Sequence, residues 1–495
     1  MIEPLARALR RPVVAVLVLL VVYVGLSFAN DPRGYLGTDT GGKVATLKVM
    51  KEHHRLDPDV GYWAEKWDPT GALHPLYYTS HIGGRWVNAT TLPMLYAAYP
   101  LYRVGGYRAT LVLPMLGSIL AALAAMALAA RLGAGERWRW AIFWLVGLAS
   151  PLTIYALDFW EHSVGVALVA WAAVFLFDLA HGDTRWWRAL GAGLLLGAAA
   201  TMRTEALVYA AVITGVACVV QLARSRKVVP VVIAGLAVSA GLVLPLVANN
   251  ALEHATAGGT IRATRAAGTV ATQQVTGGRF EEAVLTAVGL NPELATGAYV
   301  VGVLLLALLV LVALRSASPE PLLAVGAGVA ALFLYILRFA QGPGFVPGLV
   351  ATTPIAAVAL ARGWADARAR VVLGFAVLAL PLVWAYQFTG GAVPQWAGRY
   401  ILPSGFLLLA VGAWGLPALA RWARVGFIAL AVAVTVFGLS WLSIRTHDVA
   451  RASATLVRAP EPVLVSLVAH LAREGGAFYD DRHWLTAVTQ TDLDH

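Results

Sequence analysis

Apolar runs long enough to cross a bilayer recur along this chain, and no other feature constrains its fold as much. They measure roughly 18 to 22 residues, which matches the hydrocarbon core of a membrane at the helical rise. Inside lipid there is no water to bond backbone N–H and C=O groups. Each run must therefore satisfy its own backbone as a helix. The alternating ten-residue segments of a membrane barrel are absent. Charge agrees with the runs. Only 13% of the 495 residues are charged and 59% are hydrophobic, against about 25% charged in a soluble domain. The mean hydropathy is +0.71. The fold class that follows is an all-α integral membrane protein.

The periodicity predicts about thirteen spans. They are 12–29, 108–131, 138–156, 163–180, 189–202, 206–222, 229–248, 297–314, 320–337, 346–361, 371–387, 401–419 and 425–443. The apolar stretch 92–105 is short and broken by Pro93 and Pro100, so it is read as a helix lying on the membrane surface. Residues 1–29 begin with Arg7, Arg10 and Arg11 before an apolar run, as a signal peptide does. That run is long for a signal peptide and no small-x-small cleavage site follows, so it is read as a retained first helix. The one cysteine, Cys218, lies in an apolar run and reads as core filling.

The net charge of +10 does not mark a nucleic-acid partner, because the basic residues are scattered through short loops. Their placement is a topology signal instead. With the N-terminus inside, the inner loops hold about 17 basic and about 6 acidic residues. The outer segments hold about 20 basic and about 21 acidic, as the positive-inside rule requires. An odd number of spans then puts the C-terminus outside. Every long polar segment shares the outer face: the large first loop 30–107, the loop 249–296 and the tail 444–495. Short outer turns fall at 157–162, 203–205, 338–345 and 388–400. The transmembrane domain is 1–443, and 444–495 is a short extracytoplasmic tail. The loop 249–296 reads as a mobile cover over a site. Richness in Ala, Val, Gly and Arg fits a high-GC bacterial genome.

Polar residues that stand at the membrane edge are the candidates for chemistry. In Gly34-Tyr35-Leu36-Gly37-Thr38-Asp39-Thr40-Gly41-Gly42-Lys43, Asp39 is either a cap for a helix starting after Gly42 or a general base. The base reading supposes partial desolvation of its carboxylate. Asp158-Phe159-Trp160-Glu161-His162 holds three ionisable groups in one short turn. Asp158 or Ser163 there could cap a helix, and Glu161 or His162 could pair with an arginine. The same run invites a divalent metal, but zinc needs a third ligand that the sequence does not place. Arg203 and Glu205, two apart, do not face each other on a helix, so each should find a partner elsewhere. Trp396, Arg399 and Tyr400 open a late span from outside. Arg399 suits a phosphate, while the aromatics also suit an interfacial belt. Arg338 with Gln341-Gly342-Pro343-Gly344 makes another basic outer turn, and Asn88-Ala89-Thr90 matches a glycosylation sequon.

The order of these features resembles the GT-C superfamily of membrane glycosyltransferases. It is most similar to the protein-mannosyltransferase and lipid A aminoarabinose-transferase branch. An acidic residue, Asp39, follows the first span. A proline-bearing surface helix leads to Gly105-Gly106-Tyr107-Arg108. Ser150-Pro151 precedes an outer acid, Asp158. A glycine-rich span, Gly191 to Gly197, ends in Arg203. Trp396, Arg399, Tyr400 and Pro403 open a late span. The resemblance covers most of residues 1 to 420. It implies inverting transfer of a sugar from a polyprenyl-phosphate donor to a glycan, lipid or protein acceptor, on the outer face of the cytoplasmic membrane. Carried over, Asp39 is the base, Asp158 a second acidic site residue, and Arg203 and Arg399 hold the phosphate. Lys43, His74, Glu161, His162, Glu205, Arg338, Trp396 and Tyr400 complete the expected substrate contacts. The chain departs from the pattern at Asp39-Thr40, where the family has an Asp-Glu pair. It departs again at His74-Pro75, where the family has a lysine before proline, which leaves His74, Glu161 and His162 as substitute bases. No cofactor beyond the lipid-linked donor is implied. A transporter or flippase would place charges at mid-membrane and paired broken helices, and almost no mid-span charges are present. A polysaccharide polymerase or ligase would centre on a large late outer loop, and a scaffold is the remaining alternative.

Overall fold

A computed structural model describes residues 11–88, 90–261, 286–287, 297–315, 347–386 and 396–487. The chain is mostly helical. Among the described residues, seven helices are long and apolar enough to cross a membrane: Val112–Arg131, His162–Ala180, Ala206–Ser225, Val228–Ala257, Ala367–Ala385, Arg399–Ala418 and Arg421–Val457. Shorter apolar helices include Pro12–Ser27 and Gly302–Arg315. The expected span 320–337, Arg338 and most of the loop 249–296 lie outside the described residues.

The difference from thirteen uninterrupted spans has a local cause. The expected span 138–156 is a helix, Glu136–Leu148, that breaks at Ala149 and Ser150 and restarts as Pro151–Tyr155. Ser150 caps the restart by accepting from the Leu152 N–H, as proline at the first helical position favours. The span 346–361 splits in the same way around Pro354, into Leu349–Thr352 and Ala356–Arg362. The expected surface helix is present as Leu92–Thr110, kinked at Gly106, whose φ of 63° suits only glycine well.

Small residues let two helices touch backbone to backbone. Trp186–Met202 packs on Val228–Ala257 through Gly193, Gly197 and Gly241. A Cβ on Gly193 would sit 2.1 Å from the Val238 carbonyl oxygen, and one on Gly241 would sit 2.3 Å from that of Leu190. This is how small-residue stripes assemble helices in lipid. The outer face of Val228–Ala257 stays apolar and exposed at Val232, Ile233, Leu236, Val243, Leu244 and Val247, as a lipid-facing surface requires.

The two ends of the bundle differ in chemistry. At one end Arg131 bonds both oxygens of Asp178, at 2.6 and 2.7 Å, and Arg188 joins Asp178 and Asp183. The other end gathers the first segment and the tail. Helix Arg421–Val457 runs well past the expected limit at 443. Beyond it, strand Val463–Ser466 pairs in parallel with His483–Thr486. Thr486 N–H then donates to the Leu73 carbonyl at 2.9 Å, and Trp63 Nε1 donates to the Trp484 carbonyl. Ala45, Val49, Tyr62, Leu76, Trp86 and Tyr479 share one small core. The tail is therefore packed into the first segment.

Candidate active site

Asp39 lies in the first turn of helix Thr38–Glu52, which starts at the N-cap Gly37 rather than after Gly42. The cap role for Asp39 is thereby replaced by a place near the positive end of the helix, where a carboxylate is favoured. Two guanidinium groups stand beside its carboxylate. Arg399 Nη1 stands 3.3 Å from one carboxylate oxygen, and Arg473 Nη2 stands 3.4 Å from the other. The Asp39 side chain keeps 22% of its surface exposed.

Arg473 belongs to the tail and was not singled out from the sequence. It is buried in the short helix Leu471–Glu474, lies over the Tyr78 ring and donates to Asn88 Oδ1 at 3.4 Å. What lets it approach is glycine. A Cβ on Gly41 would stand 1.6 Å from the Arg473 carbonyl oxygen, and one on Gly476 would stand 2.0 Å from that of Gly41. Glycine inside a helix costs about 1 kcal/mol each, and here the close approach of the tail explains it. The sequence carries two glycine pairs, Gly41-Gly42 and Gly475-Gly476, but only the fold brings them together. Asn88 spends its amide nitrogen on the Tyr77 carbonyl and Thr79 Oγ1, so the sequon is closed to a glycan.

Asp158 is 1% exposed and turned inward. It accepts from the Leu36 N–H at 2.9 Å, from the Thr40 hydroxyl and from the Tyr107 hydroxyl at 3.3 Å. Burial raises its pKa above the ordinary carboxylate value against the pull of those bonds and of Lys43. These contacts clamp the turn that carries Asp39, and they leave no open face for a substrate. Thr40, the departure from the Asp-Glu pair, is thus one of the residues that hold Asp158.

Lys43 and Glu161 form a buried ion pair, and Arg203 Nη1 reaches the other Glu161 oxygen at 3.2 Å. Burial alone would raise the pKa of Glu161, but Lys43 and Arg203 outweigh it and hold it low. Ringed by cations, Glu161 is poorly set to bind a metal ion. Arg203 corrects the expectation from spacing. Its Nε donates to Glu205 Oε1 at 2.9 Å although the two are only two residues apart. The reason is local: Arg203 ends the helix Trp186–Met202 with φ −140° and ψ 123°, so helical geometry does not apply. Arg203 therefore meets two carboxylates, Glu161 from elsewhere in the chain, as expected of it, and the nearby Glu205, which spacing had set apart from it.

The structure also places His74, Trp396 and Tyr400. His74 is a core histidine of the first segment. Its Nδ1 accepts from the Leu76 N–H, its Nε2 meets the Gly61 carbonyl, and it packs on Tyr62 and Trp86. Burial pushes its pKa down to about 4. Trp396 is buried against Trp441 and Phe437, and its carbonyl accepts from the Tyr155 hydroxyl. Tyr400 lies between Arg203 and Arg399, 5.1 and 4.5 Å from their guanidinium carbons, and its hydroxyl accepts from Arg399.

A narrow crevice, with free space of about 10 Å³, opens beside these arginines. His162, Arg203, Glu205 and Arg399 line its polar part, and Val166, Val169, Leu402 and Pro403 its apolar part. Arg399 joins the two halves of the site, since it lines the crevice and also holds Asp39. Trp160 lies under Arg399 and against Gly37, which ties the crevice to the turn before Asp39.

No family model matches the chain, and no curated protein matches it. Among solved structures it is similar to the oligosaccharyltransferase of Archaeoglobus fulgidus, in a complex with zinc and sulfate. The identity is 12% and the TM-score 0.43, over 90% of this chain and 56% of that one. The chain thus spans little more than half the length of that enzyme. It is also similar to ArnT from Cupriavidus metallidurans bound to undecaprenyl phosphate, at 14% identity and a TM-score of 0.42, over 97% of this chain and 87% of that one. For the apo state of ArnT the values are 15% and 0.40, over 97% and 86%.

Proposed function

We propose that this chain is a membrane glycosyltransferase that moves a sugar from a polyprenyl-phosphate donor to a glycan, lipid or protein acceptor. The observation that carries the reading is the junction at Arg399. This residue lies between a partly exposed carboxylate, Asp39, and a crevice with a cationic head and an apolar floor. A lipid-linked phosphate needs such a combination, because its head is an anion and its tail is apolar. The order of motifs in the sequence supports the same class.

In this reading the acceptor hydroxyl approaches Asp39, whose carboxylate takes the proton as the oxygen attacks the anomeric carbon. The bond from that carbon to the phosphate oxygen breaks, and its electron pair leaves on the polyprenyl phosphate. Attack from the face opposite the leaving group inverts the centre. Arg399 faces the growing phosphate charge, supported by Arg203. Asp158, Lys43 and Glu161 act as positioning residues. The site end faces the outside of the cytoplasmic membrane.

The test is transfer from a labelled polyprenyl-phosphate sugar by the full chain in vesicles. Asp39→Asn is expected to lower turnover by about 10²- to 10⁴-fold, the usual worth of a general base. Full activity in Asp39→Asn would remove the base assignment. Absence of transfer from any lipid-linked sugar, with flux of the lipid across the vesicle instead, would remove the enzyme class.

A further inference from the structure

Two tyrosines of the first segment stand open on the Arg473 side of Asp39. Tyr77 and Tyr78 are 40% and 45% exposed, which forfeits much of what burying an aromatic ring would gain. Their rings meet edge to face at 4.4 Å, and His470 of the tail adds a third ring, 5.0 Å from Tyr77 and 5.9 Å from Tyr78. Tyr78 is also strained, with a φ of 66°, a region that a bulky side chain rarely adopts. The turn is held there by Asn88, whose Nδ2 donates to the Tyr77 carbonyl at 3.1 Å, and by the antiparallel pair of strands Thr79–Ile82 and Arg85–Asn88. Backbone strain of this kind clusters where a protein clamps a ligand. Arg473 links the rings to the chemistry. Its guanidinium carbon lies 5.3 Å from the centre of the Tyr78 ring, and its Nη2 lies 3.4 Å from Asp39. A single side chain thus separates these rings from the proposed base.

From this juxtaposition we infer that Tyr77, Tyr78 and His470 form an open shelf for a neutral sugar ring of the acceptor, which is then a glycan. The inference rests on the transfer reading above. A sugar ring has an apolar C–H face and hydroxyl groups on its rim. The faces of aromatic rings carry partial negative charge that attracts C–H groups, and tyrosine adds a polar tip. Burial and the neighbouring Arg473 lower the His470 pKa, so its ring is uncharged at neutral pH. Aromatic rings with polar edges suit a sugar better than an alkyl chain. The placement also agrees with attack from the face opposite the leaving group. Arg473 and Arg399 hold different oxygens of Asp39. The acceptor comes from the Arg473 side and the phosphate leaves on the Arg399 side, with the anomeric carbon between them.

The experiment measures binding to the full chain in lipid nanodiscs. The probes are neutral tetrasaccharides of glucose, mannose, galactose and arabinose, with bare polyprenyl phosphate as the control for the donor. The wild type is expected to bind at least one tetrasaccharide. Tyr77→Ala and Tyr78→Gly should each weaken that binding about tenfold, the worth of one aromatic contact. Both should leave polyprenyl phosphate within threefold of wild type. Glycine accepts the φ at position 78 without strain, so Tyr78→Gly separates loss of the ring from loss of the fold. Unchanged tetrasaccharide binding in Tyr78→Gly overturns the shelf, and so does equal loss for the tetrasaccharide and polyprenyl phosphate. A wild type that binds polyprenyl phosphate but no tetrasaccharide overturns the glycan acceptor while the donor reading stands. If the wild type binds no polyprenyl phosphate, the donor reading fails and the acceptor shelf with it.

Discussion

His74 shows how one buried side chain ties the first segment to pH. Its imidazole is neutral in the fold, with a pKa pushed from 6.5 down to about 4 by burial. The unfolded segment takes up a proton near pH 6.5, while the folded one resists until about pH 4. Between those values the unfolded state binds more protons, so stability falls as pH falls and is level above about 6.5. From pH 7 to pH 5 the loss is about 2 kcal/mol, at about 1.4 kcal/mol per unit. The protection of the amides from Tyr62 to Trp86, taken relative to the slower intrinsic exchange at pH 5, should fall correspondingly. In His74→Asn, whose amide oxygen can still accept from Leu76, the segment should be weaker at pH 7 and nearly flat down to pH 5. A wild type equally protected at both values would refute this. At this scale the sequence told the identity of the polar residues at the membrane edge but not their direction. Asp39 and Asp158 look alike as acids in outer turns. What separates them is that Asp158 is enclosed by Leu36, Thr40 and Tyr107, which come from elsewhere in the chain.

The element that sequence reading undervalued is the tail. Hydropathy ends at the last apolar run, and a short polar stretch beyond it carries no periodic signal of its own. Its meaning comes from long-range contacts: Lys48 with Asp481, Arg445 with Glu474, and Arg473 with Asp39. Arg473→Ala should lower turnover about 10- to 100-fold, the range for loss of a hydrogen bond to a charged group. The KM for the lipid donor should change little, because Arg473 faces Asp39 and lies outside the crevice lining. Arg473→Lys should recover part of the loss. Gly41→Val should mimic the alanine variant, since its side chain would push the Arg473 backbone away. Full turnover in both Arg473→Ala and Gly41→Val would show that the tail contact has no part in the reaction. The helices, by contrast, were legible within a few residues at many ends, because a bilayer-length apolar run has few other solutions. Breaks at Pro151 and Pro354 were the exceptions, where local backbone restriction overrides an unbroken apolar pattern.

For the whole molecule, the sorting of charge is the feature that sequence and structure express together. Arg131, Asp178, Arg188 and Asp183 pair at one end of the bundle, and Asp39, Arg399 and Arg473 meet at the other. The contact between Asp31 and Thr446 brings the start of the first segment to the far part of the last long helix. Those two regions must therefore share a side of the membrane, whatever the number of spans between them. The turn at Arg226 joins two apolar helices at the opposite end. The positive-inside rule assigns that turn to the cytoplasm. Single cysteines at Arg33, Leu467 and Arg226, in a chain with Cys218 replaced by alanine, should report this directly. A membrane-impermeant maleimide added to intact cells with a permeable outer envelope should label Arg33→Cys and Leu467→Cys. Arg226→Cys should react only after the membrane is opened. Labelling of Arg226→Cys alone in intact cells would reverse the orientation and put the carboxylate of Asp39 in the cytoplasm. Labelling of Arg33→Cys and Leu467→Cys from opposite sides would separate the tail from the first segment, and with it Arg473 from Asp39.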